Sequence, residues 1–315
     1  MSKLFIIGNG FDIAHNLKTS YDEFRKYLLS SNPEINMKDL IVPEKIYEPD
    51  GGVTYDEAEV LSMLFYLINE AECNTEKWSN IESSLGQLNF DGVFDWLDDV
   101  YDRDGDINYF KTAYRNEDIA SDLLIPTTTI QQLFSDWINT LKVDLATPKI
   151  DFQNLIGEED YFLTFNYTDT LQEVYGVAED CICYIHGRQH CKIYFGHGNE
   201  ELFTEDYVST YIGTENTLRD IHIQLRKEVE EALEDNSDFF ISLENAHIEE
   251  IYSYGFSFSK VDTIYLKEIC NRINTEDITW YFNDHNAEKE HPKFKDVLRE
   301  CGYKGSFGTF HISAK

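Results

Sequence analysis

Four short segments of the chain carry polar side chains, three of them together with glycine, and each follows an apolar run that predicts a β-strand. The four segments are Gly8-Asn9-Gly10-Phe11-Asp12, Asn166-Tyr167-Thr168-Asp169, His186-Gly187 and Gly255-Phe256-Ser257. In open parallel sheets, ligands bind in the loops at the carboxyl ends of the strands. One such turn is weak evidence of a binding site, but four turns of the same kind predict a shared pocket.

Gly8 and Gly10 could bring the backbone close to a phosphate or a ribose, because glycine has no side chain in the way. Ile13 stands where the third glycine of a G-x-G-x-x-G fingerprint would be. The dinucleotide motif of hydride-transfer enzymes is therefore absent. The alternative interpretation is a plain strand-to-helix turn that binds nothing.

Asn166 and His186 carry the side chains best suited to chemistry. The Asn166 amide has a donor and an acceptor that could hold a ribose hydroxyl or a water. The alternative for Asn166 is an Asx turn or a helix N-cap before Thr168. His186 ends an apolar strand, where an imidazole could act as a general base or accept a hydrogen bond from a ribose hydroxyl. The alternative is a buried histidine satisfied by a neighbouring loop, and both interpretations also apply to His197.

Cysteine and histidine are dense between Cys181 and His197, which raises the question of a metal site. The Cys-x-Cys spacing of Cys181 and Cys183 points both thiols to one face of a strand, and no second cysteine pair follows at zinc-finger spacing. We therefore expect no metal. The chain also lacks the G-x-S-x-G elbow, the Walker loop and the H-E-x-x-H motif, so the corresponding hydrolase, nucleoside triphosphatase and zincin chemistries have no support.

Composition narrows the class of protein further. The 315 residues are 42% hydrophobic, which predicts a folded chain with a sizeable core, and they carry a net charge of −33. This charge argues against a basic nucleic-acid surface and against docking on anionic membranes, although a helix N-terminus can still bind a small anion. The apolar runs are shorter than the about 20 residues of a transmembrane helix, and the N-terminus does not resemble a signal peptide. We expect a cytoplasmic protein whose six cysteines are reduced.

The elements that must position these residues alternate between strands and helices. Strands are predicted at 3–7, 161–165, 181–187, 192–199, 248–254 and 277–282, and helices at 21–30, 60–71, 75–88, 127–145, 217–234 and 292–301. The helix predicted at 127–145 is expected to start directly after Pro126. This alternation predicts an α/β fold, a Rossmann-like parallel sheet with helices on both faces. The core comprises residues 1–31 and 156–315, and residues 32–155 form a large, mainly helical insertion.

Several of these segments resemble one known family. The opening LFIIGNGFDIAHNLKTSYDEF is similar to the start of the AbiH-like bacteriophage abortive infection proteins, and it is the most specific block. YFLTFNYTDTLQEVYG, YIHG, FGHGN and YGFSFSKVD resemble later blocks of that family in the same order, and WSNIESSL in the insertion also looks similar. The resemblance spans both ends of the chain and implies a role in defence against bacteriophages.

That family in turn looks distantly similar to the sirtuin-type NAD-binding fold. The resemblance implies that Gly8, Asn9, Gly10, Phe11 and Asp12 line the dinucleotide. It also implies that Asn166 and His186 are catalytic, with Thr168, Gly187, Gly255 and Ser257 beside the cofactor. Three departures matter: Asn9 replaces the usual alanine, Thr168 replaces an aspartate with Asp169 one place later, and the four-cysteine zinc module is missing. These departures argue against protein deacetylation and fit sirtuin-like defence domains that cleave NAD itself.

The implied activity is hydrolysis of the nicotinamide–ribose bond of NAD, which would halt infected cells. Such a reaction passes through a cationic sugar that gains from nearby carboxylates, and Asp12 and Glu82 are candidates for that role. Glu82 otherwise has the default interpretation of a solvated helix residue. A phage-derived trigger or a second copy of the chain are the expected partners. The alternative function is a non-catalytic nucleotide-sensing or partner-binding defence module.

Overall fold

Six parallel strands form the sheet that the sequence predicts. The structure is a computed structural model that describes residues 2–73, 77–201, 211–285 and 287–313. The sheet strands are β1 (Ser2–Ile7), β4 (Tyr161–Thr164), β5 (Ile182–Tyr184), β6 (Ile248–Tyr254), β7 (Thr279–Asn283) and β8 (Ser306–Phe310). A separate antiparallel hairpin pairs β2 (Lys45–Tyr47) with β3 (Val53–Tyr55).

The order of strands across the sheet is β5-β4-β1-β6-β7-β8. The chain leaves the central β1 towards one edge through β4 and β5, then returns to the other side of β1 and continues outward from β6 to β8. This is the strand order of a doubly wound Rossmann sheet. In such sheets, ligands bind where the direction of winding reverses, which here is between β1 and β6.

Thirteen α-helices accompany these strands in the described part of the chain. They are α1 (Asn9–Ala14), α2 (Tyr21–Ser31), α3 (Glu57–Ala71), α4 (Ile81–Leu85), α5 (Asp91–Phe94), α6 (Tyr109–Ile138), α7 (Ile150–Leu155), α8 (Thr170–Tyr175), α9 (Glu215–Gln224), α10 (Val229–Asp235), α11 (Ser237–Asn245), α12 (Thr263–Arg272) and α13 (Ala287–Glu300). Short 3₁₀ turns cover Glu179–Cys181 and Lys260–Asp262.

Both faces of the sheet are buried around β1 and β4, which explains why these two strands are mostly apolar. Leu4 and Ile6 of β1 lie in a cluster with side chains of α11, α12 and α13, including Phe240, Leu266 and Leu298. Phe5 and Ile7 point to the opposite face, where Phe11, Phe152 and Leu171 cover them from α1, α7 and α8. Successive residues of a strand alternate between these two layers.

The chain divides into two compact units. The first contains Met1–Ser20, Ile138–Tyr194 and Glu228–Lys315, and the second contains Tyr21–Trp137 and Phe195–Lys227. The first unit holds the six-stranded sheet, while the second holds most of the predicted insertion together with α2 and residues 195–227. Within the second unit, Phe24 of α2 packs against Phe134 and Trp137 of α6.

Two predicted elements differ from the structure. The strand predicted at 192–199 was wrong: its one ladder contact is an isolated bridge between His197 and Arg226. A Cβ on Gly196 would lie 2.2 Å from the Leu225 carbonyl oxygen, so this glycine allows the chain to run against the 225–227 backbone. The predicted helix start after Pro126 was also wrong, because α6 runs through this proline. Proline removes one helical hydrogen bond, and buried Leu123, Thr127 and Ile130 hold the helix on either side of it.

Two further predictions need adjustment in their bounds, and one strand was not predicted. The helix predicted at 75–88 is confined to α4, and residues 74–76 lie outside the described residues. The helix predicted at 217–234 is two helices, α9 and α10, interrupted near Leu225. The last strand, β8, was not predicted, because SFGTF contains a glycine and only partly buried side chains.

Candidate functional site

The four predicted turns leave the sheet at the same level on four adjacent strands. Ile7 at the end of β1 pairs with Thr164 of β4 on one side and with Tyr254 of β6 on the other. Thr164 in turn pairs with Tyr184 at the end of β5. The residues that follow these strand ends therefore emerge together at the carboxyl edge, and all of them belong to the first unit.

The glycine turn after β1 packs directly on the turn after β6. The Gly8 and Gly10 amides donate to the carbonyl oxygens of Tyr254 and Gly255, each at 3.0 Å, and the Phe11 amide donates to Gly8 at 2.8 Å. A Cβ on Gly8 would lie 2.5 Å from the Gly255 carbonyl oxygen. The close contact between the two turns therefore accounts for these glycines, and three amides of the first turn are already bonded to backbone.

The side chains of this turn point into the protein rather than to its edge. Asn9 donates from Nδ2 to the Thr19 carbonyl at 3.0 Å, which closes the loop after α1. Phe11 is fully buried and packs edge-on against Phe152 and Tyr254.

Asp12 is buried and accepts two hydroxyl hydrogen bonds. Thr168 donates to Oδ2 at 2.6 Å and Thr170 donates to Oδ1 at 2.9 Å. Burial raises the pKa of Asp12 to about 6, although the two hydroxyls and the Asn166 amide partly offset this effect. Both Asp12 and Thr168 therefore tie the first turn to the turn after β4.

Asn166 is buried, and its side-chain amide is not hydrogen-bonded to the described residues. It is 5% exposed, and its backbone amide donates to Thr164 Oγ1 at 3.1 Å. Neither Nδ2 nor Oδ1 has a hydrogen-bond partner among the described residues. The amide is near enough to Asp12 to lower the pKa of that carboxyl, but not at hydrogen-bonding geometry. Buried polar side chains are nearly always bonded to protein, water or a ligand, so the Asn166 amide has two atoms available to a bound molecule.

His186 lies at the end of the neighbouring strand and is equally buried, at 3% exposed. Its ring meets Phe165 and Tyr265 at centroid distances of 5.2 and 5.6 Å. Its Nε2 lies 3.3 Å from Asp262 Oδ1. Gly187 directly after it has φ of +81°, and a Cβ there would lie 1.8 Å from the Lys192 carbonyl oxygen. Only glycine allows the chain to turn this tightly behind the histidine.

The turn after β6 contributes a residue that the sequence did not single out. Gly255 and Ser257 are exposed at this turn. Asp262, further along, is 6% exposed and accepts a hydrogen bond at Oδ2 from Ser259 Oγ at 2.9 Å. The Ser-x-x-Asp spacing within SFSKVD, already a family-like block, was the available signal for this pair.

Two other candidates belong to the second unit and have structural partners there. His197 Nδ1 accepts from the Asn199 amide at 3.1 Å, so Nε2 carries the proton and donates to the His222 carbonyl at 2.9 Å. Burial lowers the pKa of His197 to about 4, which keeps the ring neutral. Glu82 pairs with the buried ammonium of Lys227 at 2.7 Å. Both ring nitrogens of His197 are therefore hydrogen-bonded within the protein. This fits the alternative interpretation of His197 as a buried structural histidine.

Within residues 2–73, 77–201, 211–285 and 287–313, no three His, Cys, Asp or Glu side chains are placed to hold a metal ion. All six cysteines are free thiols. None of the helices in the described part of the chain has the length and apolarity to cross a bilayer.

The strand order, the reversal point beside β1 and the polar carboxyl edge define an α/β protein of the Rossmann-like type. The family model described as "Bacteriophage abortive infection AbiH" matches residues 4–284, and the chain belongs to this family. Its role is therefore in bacteriophage abortive infection. No curated protein and no solved structure matches the chain significantly.

Proposed function

We propose that this AbiH-family protein binds NAD at the carboxyl edge of its sheet and hydrolyses the nicotinamide–ribose bond. The observation that carries the proposal is the buried, unpartnered amide of Asn166. His186 follows the adjacent strand at the equivalent position, since Thr164 pairs with Tyr184. The choice of NAD as substrate comes from the distant resemblance of these turns to sirtuin-type domains. Depletion of NAD in the infected cell is the proposed outcome.

The amide of Asn166 supplies the positioning element of the proposed reaction. Leaving a buried amide unbonded costs about 1–3 kcal/mol, and a ligand that bonds it recovers this free energy. In the proposed complex, Asn166 holds the attacking water or a hydroxyl of the nicotinamide ribose. Because Asn166 and His186 follow paired strands at the same level, one ribose can meet both side chains.

His186 supplies the base. The water oxygen forms a bond to C1′ of the ribose while the bond from C1′ to the nicotinamide nitrogen breaks, and its electron pair leaves with nicotinamide. A proton of the water passes to His186 and then to solvent, so the products are nicotinamide, ADP-ribose and one proton. The imidazole suits this task because its ordinary pKa lies near neutral pH.

The remaining candidate residues take supporting roles in this proposal. Gly255 and Ser257 are exposed at the edge and would lie along the nucleotide, with Gly187 shaping the turn behind the base. The turn of Gly8, Asn9 and Gly10 would form one wall, with its backbone bonds already made within the protein. Asp12 holds Thr168 and Thr170, so it supports the wall rather than the cationic sugar.

The test measures nicotinamide release from NAD by purified protein, with and without lysate of phage-infected cells to supply a trigger. His186→Gln and Asn166→Ala are expected to slow release at least about 100-fold. His247→Gln is the control, because His247 precedes β6 at the opposite edge of the sheet and is exposed. Full activity in His186→Gln would refute the mechanism. Tight NAD binding with no release under any condition would instead favour the nucleotide-sensing alternative.

A further inference from the structure

We propose that Asp262 is the positioning residue of His186: its carboxylate accepts a hydrogen bond from Nε2–H and so leaves Nδ1 as the basic nitrogen. This inference rests on the proposed function for its catalytic consequence. The pairing itself rests on geometry within the first unit. Nothing in the strand-end turns alone identifies Asp262, which lies seven residues beyond Gly255 in the chain.

Asp262 lies at the N-terminal end of α12. Asp262 is the N-cap residue of α12, where an aspartate normally accepts a hydrogen bond from the first turn of the helix. Here its side chain makes no cap hydrogen bond. Its Oδ1 instead lies 3.3 Å from His186 Nε2, and its Oδ2 accepts from Ser259 Oγ at 2.9 Å. The carboxylate therefore faces the histidine although the cap position offers it a local alternative.

The loop around Asp262 is held by its own hydrogen bonds. The Asp262 amide donates to the Ser259 carbonyl at 3.1 Å, and Thr263 Oγ1 donates to the Lys260 carbonyl at 2.8 Å. The positive end of the α12 dipole also favours a negative charge at this place. The carboxylate is thus fixed on three sides: by its backbone, by Ser259 and by the helix end.

Burial makes the pairing strong enough to act on the ring. The side chains of His186 and Asp262 are 4% and 9% exposed, so little solvent screens the two groups. Besides Asp262, the ring meets the phenols of Tyr167 and Tyr265, and Phe165 adds an apolar wall. Among these side chains, Asp262 brings a carboxylate to within 3.3 Å of Nε2.

The chemical consequence follows from the two nitrogens of imidazole. A neutral ring carries one proton, and the hydrogen-bond partner of one nitrogen decides which nitrogen holds it. With Nε2–H directed at Asp262, the lone pair lies on Nδ1. When Nδ1 takes a proton from the water or ribose hydroxyl, the carboxylate stabilises the imidazolium that forms. Asp262 itself neither gains nor loses a proton.

The test reads the histidine directly and needs no NAD. Protein with ¹⁵N-labelled histidine is titrated by NMR, and the His186 signal is identified by its loss in His186→Gln. The wild type is expected to show the Nε2–H tautomer. In Asp262→Asn, the pKa of His186 is expected to fall by about one pH unit or more. Ser259→Ala, which keeps the carboxylate but removes its anchor, is expected to give a smaller change in the same direction.

A surface pair provides the matched control. His311 Nδ1 lies 2.7 Å from Asp284 Oδ2, and these side chains are 69% and 45% exposed. Asp284→Asn is expected to leave the His186 signal unchanged. An Nδ1–H tautomer in the wild type, or a His186 titration unaffected by both Asp262→Asn and Ser259→Ala, would overturn the pairing.

The same variants separate this inference from the proposed function. If the protein releases nicotinamide, the acid limb of the pH–rate profile should move to lower pH in Asp262→Asn by the amount seen in the titration. A pairing seen by NMR without nicotinamide release under any condition would refute the hydrolase proposal while the pairing stands. Nicotinamide release with an unperturbed His186 would refute the role of Asp262 alone.

Discussion

Replacing Asn166 by leucine should stabilise the protein and abolish its response to NAD. The wild-type amide is buried with two unbonded polar atoms, and such a group costs about 1–3 kcal/mol. Leucine has a similar length and branching and no polar atoms. Part of the gain is lost because the Asn166 amide helps to keep Asp12 ionised. We therefore expect the free energy of unfolding to rise by about 1 kcal/mol, which raises Tm by about 2 °C for a domain of this size.

Asn116 of α6 is the matched control, since it is also 5% exposed. Its Nδ2 donates to the Ile212 carbonyl at 3.0 Å, and its Oδ1 accepts from Arg115 at 2.9 Å. Asn116→Leu removes the donor of the Ile212 carbonyl and the acceptor of Arg115, so we expect a loss of about 1 kcal/mol. Two asparagines of equal burial should thus give changes of opposite sign, because one amide is satisfied within the protein and the other is not.

The assay combines urea unfolding with a thermal shift in the presence of NAD. At 100 times its dissociation constant, a ligand that binds only the folded state adds about 2.7 kcal/mol. The wild type and Asn116→Leu should both show this stabilisation, whereas Asn166→Leu should show none. If Asn166→Leu loses as much stability as Asn116→Leu, the Asn166 amide is bonded in the folded protein and the reasoning fails. An undiminished NAD shift in Asn166→Leu would refute the assignment of the ligand site.

Two further predictions concern the turn after β1. Asp12 has a folded pKa of about 6 against an ordinary value of 3.8, so the folded state binds more protons than the unfolded state between these values. The free energy of unfolding should therefore fall as pH rises from about 4 to about 6, by about 3 kcal/mol over two pH units. Urea unfolding of wild type and Asp12→Asn should show this slope in the difference between the two proteins. A difference that does not change with pH would contradict the prediction. Gly255→Ala should cost at least about 3 kcal/mol, because its φ is +69° and its Cβ would lie 2.1 Å from the Phe11 nitrogen, which adds a clash to the backbone strain. Gly176→Ala is the control, because Gly176 has φ of +67° but open space around it. It should cost only about 1 kcal/mol of backbone strain. Equal losses of thermal stability in the two variants would refute the contact between the turns.

The strands and their order along the chain were largely predictable. β1, β4, β6 and β7 are apolar runs closed by turn residues, and burial on both faces makes such runs conspicuous in sequence. β8 was not, because its glycine and half-buried side chains break the pattern. The run at 192–199 has a strand-like composition, but Gly196 directs it along the backbone of residues 225–227. Local composition cannot distinguish these outcomes, since the partner that decides them is distant in sequence.

The meeting of the four turns at one edge was predictable from the sequence, but their contacts were not. Strand-end turns on adjacent parallel strands must meet at one edge, so Gly8, Asn166, His186 and Gly255 could be grouped from sequence. Which groups remain for a ligand depends on packing. The Gly8 and Gly10 amides are bonded to the β6 turn, whereas the Asn166 amide has no partner among the described residues.

The sequence by itself determined the α/β class, the family and the edge of the sheet where the four turns meet, because these follow from local patterns of hydrophobicity and from short blocks of residues. Only the tertiary structure decided that Asp12 is bonded to Thr168 and Thr170, and that Asp262 faces His186. These pairs join residues 76 to 158 positions apart in the chain. Contacts of this range depend on the strand order and on the pairing register, and neither is encoded within any one segment.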